Sequence, residues 1–236
     1  MAGRGLPAFA GGGNAVCGLH PTHDIVDNMR LEYWDPIRQR YLLYRQPEQH
    51  AADCKRYPFE SIPHRIFLDT NVINRLVRWR DQIFEYEAIP PETEEQLAFD
   101  IEALMHVLHR ADRTSMRLIG SIKTIEELGD TPDPAWRNAL VSYGIELVDE
   151  HLGSENHSFA IDFGRRLVGS QLVAPLPDTA DQELIAHAIA LGCDTFCTCD
   201  RKTILSKRNR LDHLPIRIMT PVEWWANVKP WSGLWS

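Results

Sequence analysis

The chain has 236 residues, of which 44% are hydrophobic and 25% are charged, and its formal net charge is −8. No apolar run approaches the about 20 residues that a membrane helix requires, so we expect a soluble protein. The acidic balance argues against a protein that coats nucleic acid by charge alone, because such affinity depends on lysine and arginine side chains. It remains compatible with an enzyme whose carboxylates bind cations.

The cysteines and the amino terminus indicate where the protein works. The five cysteines are an odd number without paired zinc-type spacing, which predicts neither a disulfide framework nor a zinc site. Residues 1–16 are small and apolar, but glycines and Pro7 interrupt them, so they do not form the continuous core of a signal peptide. We therefore expect a cytoplasmic protein whose amino terminus is partly disordered.

The sequence pattern changes near His64. Before it, aromatic residues stand among charged residues without a sustained period. After it, short apolar runs alternate with amphipathic segments. We therefore predict an irregular extension over residues 1–60, an α/β domain over residues 61–228 and a short tail over residues 229–236.

The predicted elements of the domain alternate between strand and helix. Apolar runs predict strands, and apolar residues spaced three and four apart predict helices. Thr179 and Gln182 have the spacing of a capping box at the start of one helix. Alternating strands and helices predict a mostly parallel sheet that is covered on both faces. The strands are predicted at 65–68, 116–120, 145–148, 193–199 and 216–219, and the helices at 71–80, 92–110, 121–128, 135–143, 159–168, 180–191, 202–211 and from 221.

Two aspartates directly follow predicted strands, and a third opens a helix. Asp69 follows the first strand and Asp200 follows the strand at 193–199. Because ligands of open parallel sheets bind beyond the carboxyl ends of the strands, we expect both carboxylates in one crevice. Asp181 lies in the first turn of the helix before the second of these strands, where the helix dipole also favours an acid. Taken alone, each aspartate is better explained by a turn or a helix cap.

Carboxylates that converge on one crevice repel each other unless cations neutralise them. Hard oxygen ligands of this kind suit Mg²⁺ or Mn²⁺. One or two such ions would activate a water and stabilise the charge that develops on a phosphoryl group, so no serine, cysteine or histidine nucleophile is required. The acids therefore indicate metal-dependent phosphodiester hydrolysis.

Four segments resemble the PIN domain family of metal-dependent nucleases. The first contains a strand that ends in Asp-Thr-Asn, and the second is a helix led by serine with a glutamate before a leucine. The third is the most specific, because it combines an Asp-bearing helix, a Gly-Cys-Asp turn and a Thr-x-Asp strand end. The resemblance covers about residues 64–226, in the segments 66–72, 121–128, 181–202 and 218–223.

The resemblance implies a Rossmann-like three-layer α/β/α sandwich and a set of site residues. Between two adjacent glutamates, Glu126 and Glu127, the distance from Ser121 and the leucine that follows favour Glu127. The resemblance implies a polar supporting pair, Asn71 and Thr198. It implies that the metal ligands and catalytic residues are Asp69, Glu127, Asp181 and Asp200.

The resemblance also implies a function, namely a Mg²⁺- or Mn²⁺-dependent endonuclease. Single-stranded RNA is the usual substrate of the family. Arg201 and Lys202 begin a basic run beside the site and are candidate substrate contacts. Some relatives are toxins of toxin–antitoxin pairs, so an antitoxin or another protein is a possible partner. An apolar face on the helices at 71–80 and 92–110 would support a homodimer.

Three other interpretations of the sequence compete with the nuclease hypothesis. A PIN-like module that binds nucleic acid or protein without catalysis stays open, although all four acids are present. A phosphatase of the haloacid dehalogenase kind needs a second aspartate two residues after the first, where this chain has Asn71. A dinucleotide-binding fold needs a glycine-rich turn after the first strand, and that strand here leads into Asp69.

Overall fold

The computed structural model describes residues 30–111, 115–149 and 154–235. In the extension, strands β1 (Tyr33–Asp35) and β2 (Arg40–Leu42) pair antiparallel, and helix α1 (Pro47–Arg56) follows. The extension is therefore not irregular over this part, in contrast to the sequence prediction. Strands of three residues are too short to show an alternating period. Residues 1–16, which the sequence predicts to be disordered, lie outside the described residues.

The extension contacts both the domain and the carboxyl-terminal tail. The backbone N–H groups of Arg30 and Leu31 each donate to the carboxylate of Glu102, at 2.7 Å. The indole N–H of Trp231 donates to the carbonyl oxygen of Tyr57 at 2.8 Å. The two ends of the described chain are therefore joined to each other and to the domain by hydrogen bonds.

Four parallel strands form the sheet of the domain. They are β3 (Arg65–Leu68), β4 (Arg117–Ile119), β5 (Thr195–Cys197) and β6 (Arg217–Met219), in the order β4-β3-β5-β6. The register places Phe67 opposite both Phe196 and Ile119. This all-parallel sheet confirms the predicted α/β class.

Helices connect the strands, and eight of the nine α-helices of the described residues belong to the domain. Short 3₁₀ helices lie at Phe59–Ser61, Arg208–Arg210 and Lys229–Trp235. None of the described helices has the length and apolar character that crossing a bilayer would require. The helices of the domain are α2 (Thr70–Arg78), α3 (Arg80–Phe84), α4 (Glu95–Ala111), α5 (Ile122–Gly129), α6 (Pro134–Asp149), α7 (Ser154–Leu167), α8 (Thr179–Ala190) and α9 (Pro221–Val228).

Two hydrophobic clusters lie on opposite faces of the sheet. Ile66 and Leu68 point into the cluster that includes residues of α2, α4 and α9. Phe67 points the other way, into a cluster with residues of α7 and α8, and it stacks on Phe196 at 5.4 Å between ring centroids. Alternate residues of a strand face opposite sides, so a strand covered on both faces is apolar throughout. The arrangement is compatible with a Rossmann-like three-layer fold.

The apolar face of α4 is covered within the chain. Ile101 and Leu104 are completely buried in the same cluster as Trp224 of α9. The apolar face of α4, which the sequence analysis expected to support a homodimer, is therefore buried inside the protein. The homodimer stays a prediction, without this face to support it.

Two predicted elements are wrong. Residues 145–148, predicted as a strand, belong to α6, and the side chains of Leu147 and Val148 pack against Gly120 just beyond β4. A short apolar run cannot be assigned to strand or helix from its period alone. The predicted helix at 202–211 is a series of turns that ends in a 3₁₀ helix. From Lys207 on, the backbone hydrogen bonds of this segment join residues three apart, as in Lys207 N–H to the Ile204 oxygen at 3.0 Å.

The predicted capping box at the start of α8 is also wrong. The capping residue is Asp178, whose carboxylate accepts the N–H of Ala180 at 2.9 Å. The side chain of Gln182 instead bonds the N–H of Gly169 at 2.9 Å and the carbonyl oxygen of Leu176 at 2.8 Å. These bonds join α8 to the loop before it, a tertiary role that local spacing does not reveal.

Candidate metal centre

Asp69 and Asp200 lie at the carboxyl ends of the two central strands. Strands β3 and β5 are neighbours, and the N–H of Asp69 donates to the carbonyl oxygen of Cys197 at 3.1 Å, which continues their pairing. Asp69 occupies the capping position of α2, but its side chain makes no capping hydrogen bond. The residue is only 2% exposed, and its charge acts on the carboxyls of Glu127 and Asp181.

Three neighbouring side chains hold the carboxylate of Asp69. The Thr198 hydroxyl and the Asn71 amide both donate to its Oδ2, each at 2.5 Å, and the Thr70 hydroxyl donates to its Oδ1 at 3.3 Å. The amide oxygen of Asn71 accepts the N–H of Cys199 at 2.8 Å, which links α2 to the end of β5. Asn71 and Thr198 thus both donate to Asp69, and their role as supports of a metal ligand stays a prediction.

Burial dominates the ionisation of Asp69, and it raises the pKa of this carboxyl despite those three hydrogen bonds. A buried carboxylate without a nearby cation is costly, and a raised pKa is the sign of that cost. The side-chain hydrogen bonds to Asp69 from the described residues come from two hydroxyls and an amide, which are uncharged donors.

Glu127 of α5 faces Asp69, whereas Glu126 does not. Glu127 is half-buried, and its Oε1 atom is buried without a hydrogen-bond partner among the described residues. Burial and then the charge of Asp69 raise the pKa of Glu127 to about 7. Glu126 is exposed and pairs loosely with Lys123 at 3.8 Å. The structure therefore brings the chosen glutamate to the crevice and leaves its neighbour in solvent.

Asp181 and Asp200 complete the acidic crevice, and Thr203 affects the pKa of both. Burial raises the pKa of Asp181 to about 6, and the charge of Asp69 adds to this effect, although a hydrogen bond with Thr203 opposes it. Burial also acts on Asp200, but hydrogen bonds from Thr203 and from the N–H of Lys202 outweigh it and lower its pKa. Asp200 therefore also serves as a turn cap, as its position alone suggested.

The four carboxyls fit a hard divalent cation by their chemistry. They contribute only oxygen ligands, which Mg²⁺ and Mn²⁺ prefer. The raised pKa values of Asp69, Glu127 and Asp181 show that burial disfavours their charged forms and that the surrounding groups do not fully offset it, and one oxygen of Glu127 has no hydrogen-bond partner among the described residues. Among the described residues, no group of three or more His, Cys, Asp or Glu side chains is already drawn together at coordinating distance. Binding would thus require these side chains to close on the ion.

The two predicted substrate contacts have different environments. Arg201 is paired with Asp100 of α4, with Nη1 at 3.1 Å and Nη2 at 3.2 Å from its two oxygens. Lys202 is exposed, and its positive charge helps to lower the pKa of Asp200. Lys202 thus lies exposed beside Asp200, and Arg201 is oriented by a buried carboxylate.

The sequence reasoning missed Lys123, Thr203 and Asp100. Lys123 pairs with Glu183 at 3.2 Å, which joins the helix that carries Glu127 to the helix that carries Asp181. A threonine three residues after Asp200 was a detectable signal, because this spacing is typical of a capped turn. Asp100 stands on the apolar face of an amphipathic helix, where a buried acid calls for a cationic partner.

Comparison of the chain with protein-family models, with curated proteins and with solved structures found no significant match.

Proposed function

We propose that this protein is a PIN-like nuclease, a divalent-metal-dependent endonuclease that hydrolyses phosphodiester bonds in single-stranded RNA. Asp69, Glu127, Asp181 and Asp200 would hold Mg²⁺ or Mn²⁺. The observation that carries the proposal is that Asp69 and Asp200 lie at the carboxyl ends of adjacent parallel strands, and that the charge of Asp69 contributes to the raised pKa values of Glu127 and Asp181. Perturbed carboxyls in a crevice of this kind are typical of functional sites. The cytoplasmic location belongs to the same proposal.

The chain's own residues would prepare the site. When bound, the metal supplies an activated water and positive charge for the phosphoryl oxygens. Thr198 and Asn71 fix the orientation of Asp69, and Thr203 fixes that of Asp200. The unpartnered Oε1 of Glu127 is the oxygen that is open to a cation or a proton. Lys202, exposed beside Asp200, would attract the RNA backbone.

The test is cleavage of a mixed single-stranded RNA pool by the wild type and by Asp69→Asn, first with Mn²⁺ and then with EDTA. We expect cutting that requires the metal and that falls about 100-fold or more in the variant, since even groups that only support metal ligands contribute 10- to 100-fold. Glu127→Gln should show a similar loss, and the matched control Glu126→Gln should cut like the wild type.

The other outcome would favour a module that binds without catalysis. Equal inactivity of the wild type and Asp69→Asn across metals and RNA pools would contradict the nuclease proposal. Calorimetry with Mn²⁺ alone would then separate a metal-binding module from a site that holds no ion. An antitoxin, another protein partner and a homodimer remain proposals that this experiment does not address.

A further inference from the structure

Asp100 of α4 binds two arginines. Its side chain is completely buried. Arg201 places two nitrogens on its two oxygens, at 3.1 and 3.2 Å, and Arg75 of α2 places Nη1 on Oδ2 of the same carboxylate. One carboxylate thus fixes two guanidinium groups that come from different parts of the chain.

The charges of this group do not balance. One carboxylate and two guanidinium groups leave a net charge of +1. The Arg75 side chain is 21% exposed and that of Arg201 is 37% exposed, so each reaches solvent. A guanidinium carries five N–H donors, and the contacts to Asp100 use only some of them. The pair therefore carries N–H donors that Asp100 does not use and one positive charge that Asp100 does not compensate.

The arginine pair borders the acidic crevice. Arg201 directly follows Asp200, and Arg75 lies one helical turn beyond Asn71 on α2. Asn71 accepts the N–H of Cys199 at 2.8 Å, and the Cys199 carbonyl oxygen lies 3.5 Å from Nη1 of Arg201. The supports of Asp69 and the arginine pair thus form one connected group at the carboxyl ends of β3 and β5.

We propose that Asp100 orients Arg75 and Arg201 as a binding site for a backbone phosphate of single-stranded RNA beside the acidic crevice. This inference rests on the proposed function for its choice of ligand. An acidic crevice repels a polyanion, so a nearby cation has to hold the strand. The guanidinium fork matches the oxygens of a phosphate, and fixing it in advance reduces the entropy lost on binding.

The competing explanation is that Asp100 only joins α2, α4 and the turn after β5. The salt dependence of RNA binding separates the two, because each phosphate contact releases counterions and a purely structural ion pair releases none. Arg217 is the matched control. Its side chain is 40% exposed and pairs with Asp194 at 3.7 Å, but it lies at the amino-terminal end of the same sheet.

The experiment measures fluorescence anisotropy of a short labelled oligouridine with the full chain in EDTA, over a series of salt concentrations. We expect Arg75→Gln and Arg201→Gln each to lower the slope of log affinity against log salt by about 0.7. Arg217→Gln should keep the wild-type slope. Unchanged slopes in folded Arg75→Gln and Arg201→Gln would overturn the inference and leave the ion pair structural.

Arg75→Lys and Arg201→Lys cover the case in which the glutamine variants do not fold. Lysine keeps the charge and can still pair with Asp100, but it lacks the planar fork. We expect about threefold weaker binding with the wild-type slope, and full wild-type affinity in both would contradict the inference.

The outcomes also separate this inference from the proposed function. RNA binding that depends on the arginines, without any cleavage, would support the phosphate site and contradict the nuclease proposal. Cleavage by a protein whose salt slope is unchanged in the arginine variants would support the nuclease and contradict the phosphate site. A wild type that neither binds nor cleaves RNA would contradict both proposals.

Discussion

Two groups of buried carboxylates differ in what surrounds them. The anchored carboxylates, Asp100 and Glu102 of α4, are completely buried, and each has donors on both oxygens: arginines for Asp100, and the N–H groups of Arg30 and Leu31 for Glu102. The open carboxylates, Asp69, Glu127 and Asp181, have raised pKa values, and none of them forms an ion pair within the described part of the chain. The charge of Lys123 offsets the raised pKa of Glu127 only in part.

The difference shows that burial alone does not mark a functional acid. A buried carboxylate with full compensation is part of the structure, and removing it leaves its donors unsatisfied. A buried carboxylate without compensation destabilises the fold, and a protein that keeps several of them together retains a place for a cation. The predictions below test this distinction by measuring stability rather than activity.

The largest effect should come from adding metal to the open carboxylates. A ligand that binds only the folded state at about 100 times its Kd raises the unfolding free energy by about 2.7 kcal/mol. We expect Mn²⁺ to stabilise the wild type by this order in urea denaturation, EDTA to reverse the gain, and Asp69→Asn to lose it. A wild-type midpoint that does not respond to Mn²⁺ would show that the open carboxylates do not bind this ion.

The next effect concerns an anchored carboxylate. Glu102→Gln should lower the unfolding free energy by about 2 kcal/mol, because the amide –NH₂ cannot accept one of the two backbone N–H groups that the carboxylate accepts. Urea denaturation at neutral pH measures the loss. Stability equal to that of the wild type would show that Glu102 is not anchored as described.

A smaller effect of opposite sign is expected at Glu127. Its pKa is about 7 in the folded state against an ordinary value of 4.5, so the unfolded chain releases this proton first as the pH rises. The carboxyl therefore does not destabilise the fold when the pH is below 4.5. Its destabilising effect grows as the pH rises from 4.5 to about 7, and it is complete above the folded pKa. Without metal, Glu127→Gln should gain about 1 kcal/mol near about pH 8, a figure reduced for solvent screening. The gain should vanish near about pH 4, and a pH-independent difference would contradict this account.

The smallest effect is expected at Glu126, the exposed neighbour. Its contact with Lys123 at 3.8 Å is solvent-exposed on the glutamate side. Glu126→Gln should change the unfolding free energy by less than about 0.5 kcal/mol at any pH. The same denaturation series provides this value, and a change as large as that at Glu127 would remove the distinction between the two glutamates.

The sequence could predict the parts of the site that depend on local pattern. Asp69 and Asp200 follow apolar runs, and these runs are the central strands of the sheet. Asp100 and Arg75 could not be paired in advance, because α2 and α4 meet only through tertiary packing. The segment at 145–148 was assigned to the wrong element for a related reason, since an apolar run that packs beyond β4 has the same composition in a helix as in a strand.

The bonds between Glu102 and the start of the described chain bear on how the protein can be shortened. A chain trimmed to begin at residue 61 would retain Glu102 while losing the N–H groups of Arg30 and Leu31 that satisfy it. It would also lose the Tyr57 carbonyl oxygen that accepts from Trp231 near the other end. We therefore expect a chain that begins at about residue 30 to be more stable than one cut at residue 61, the boundary that sequence composition suggests.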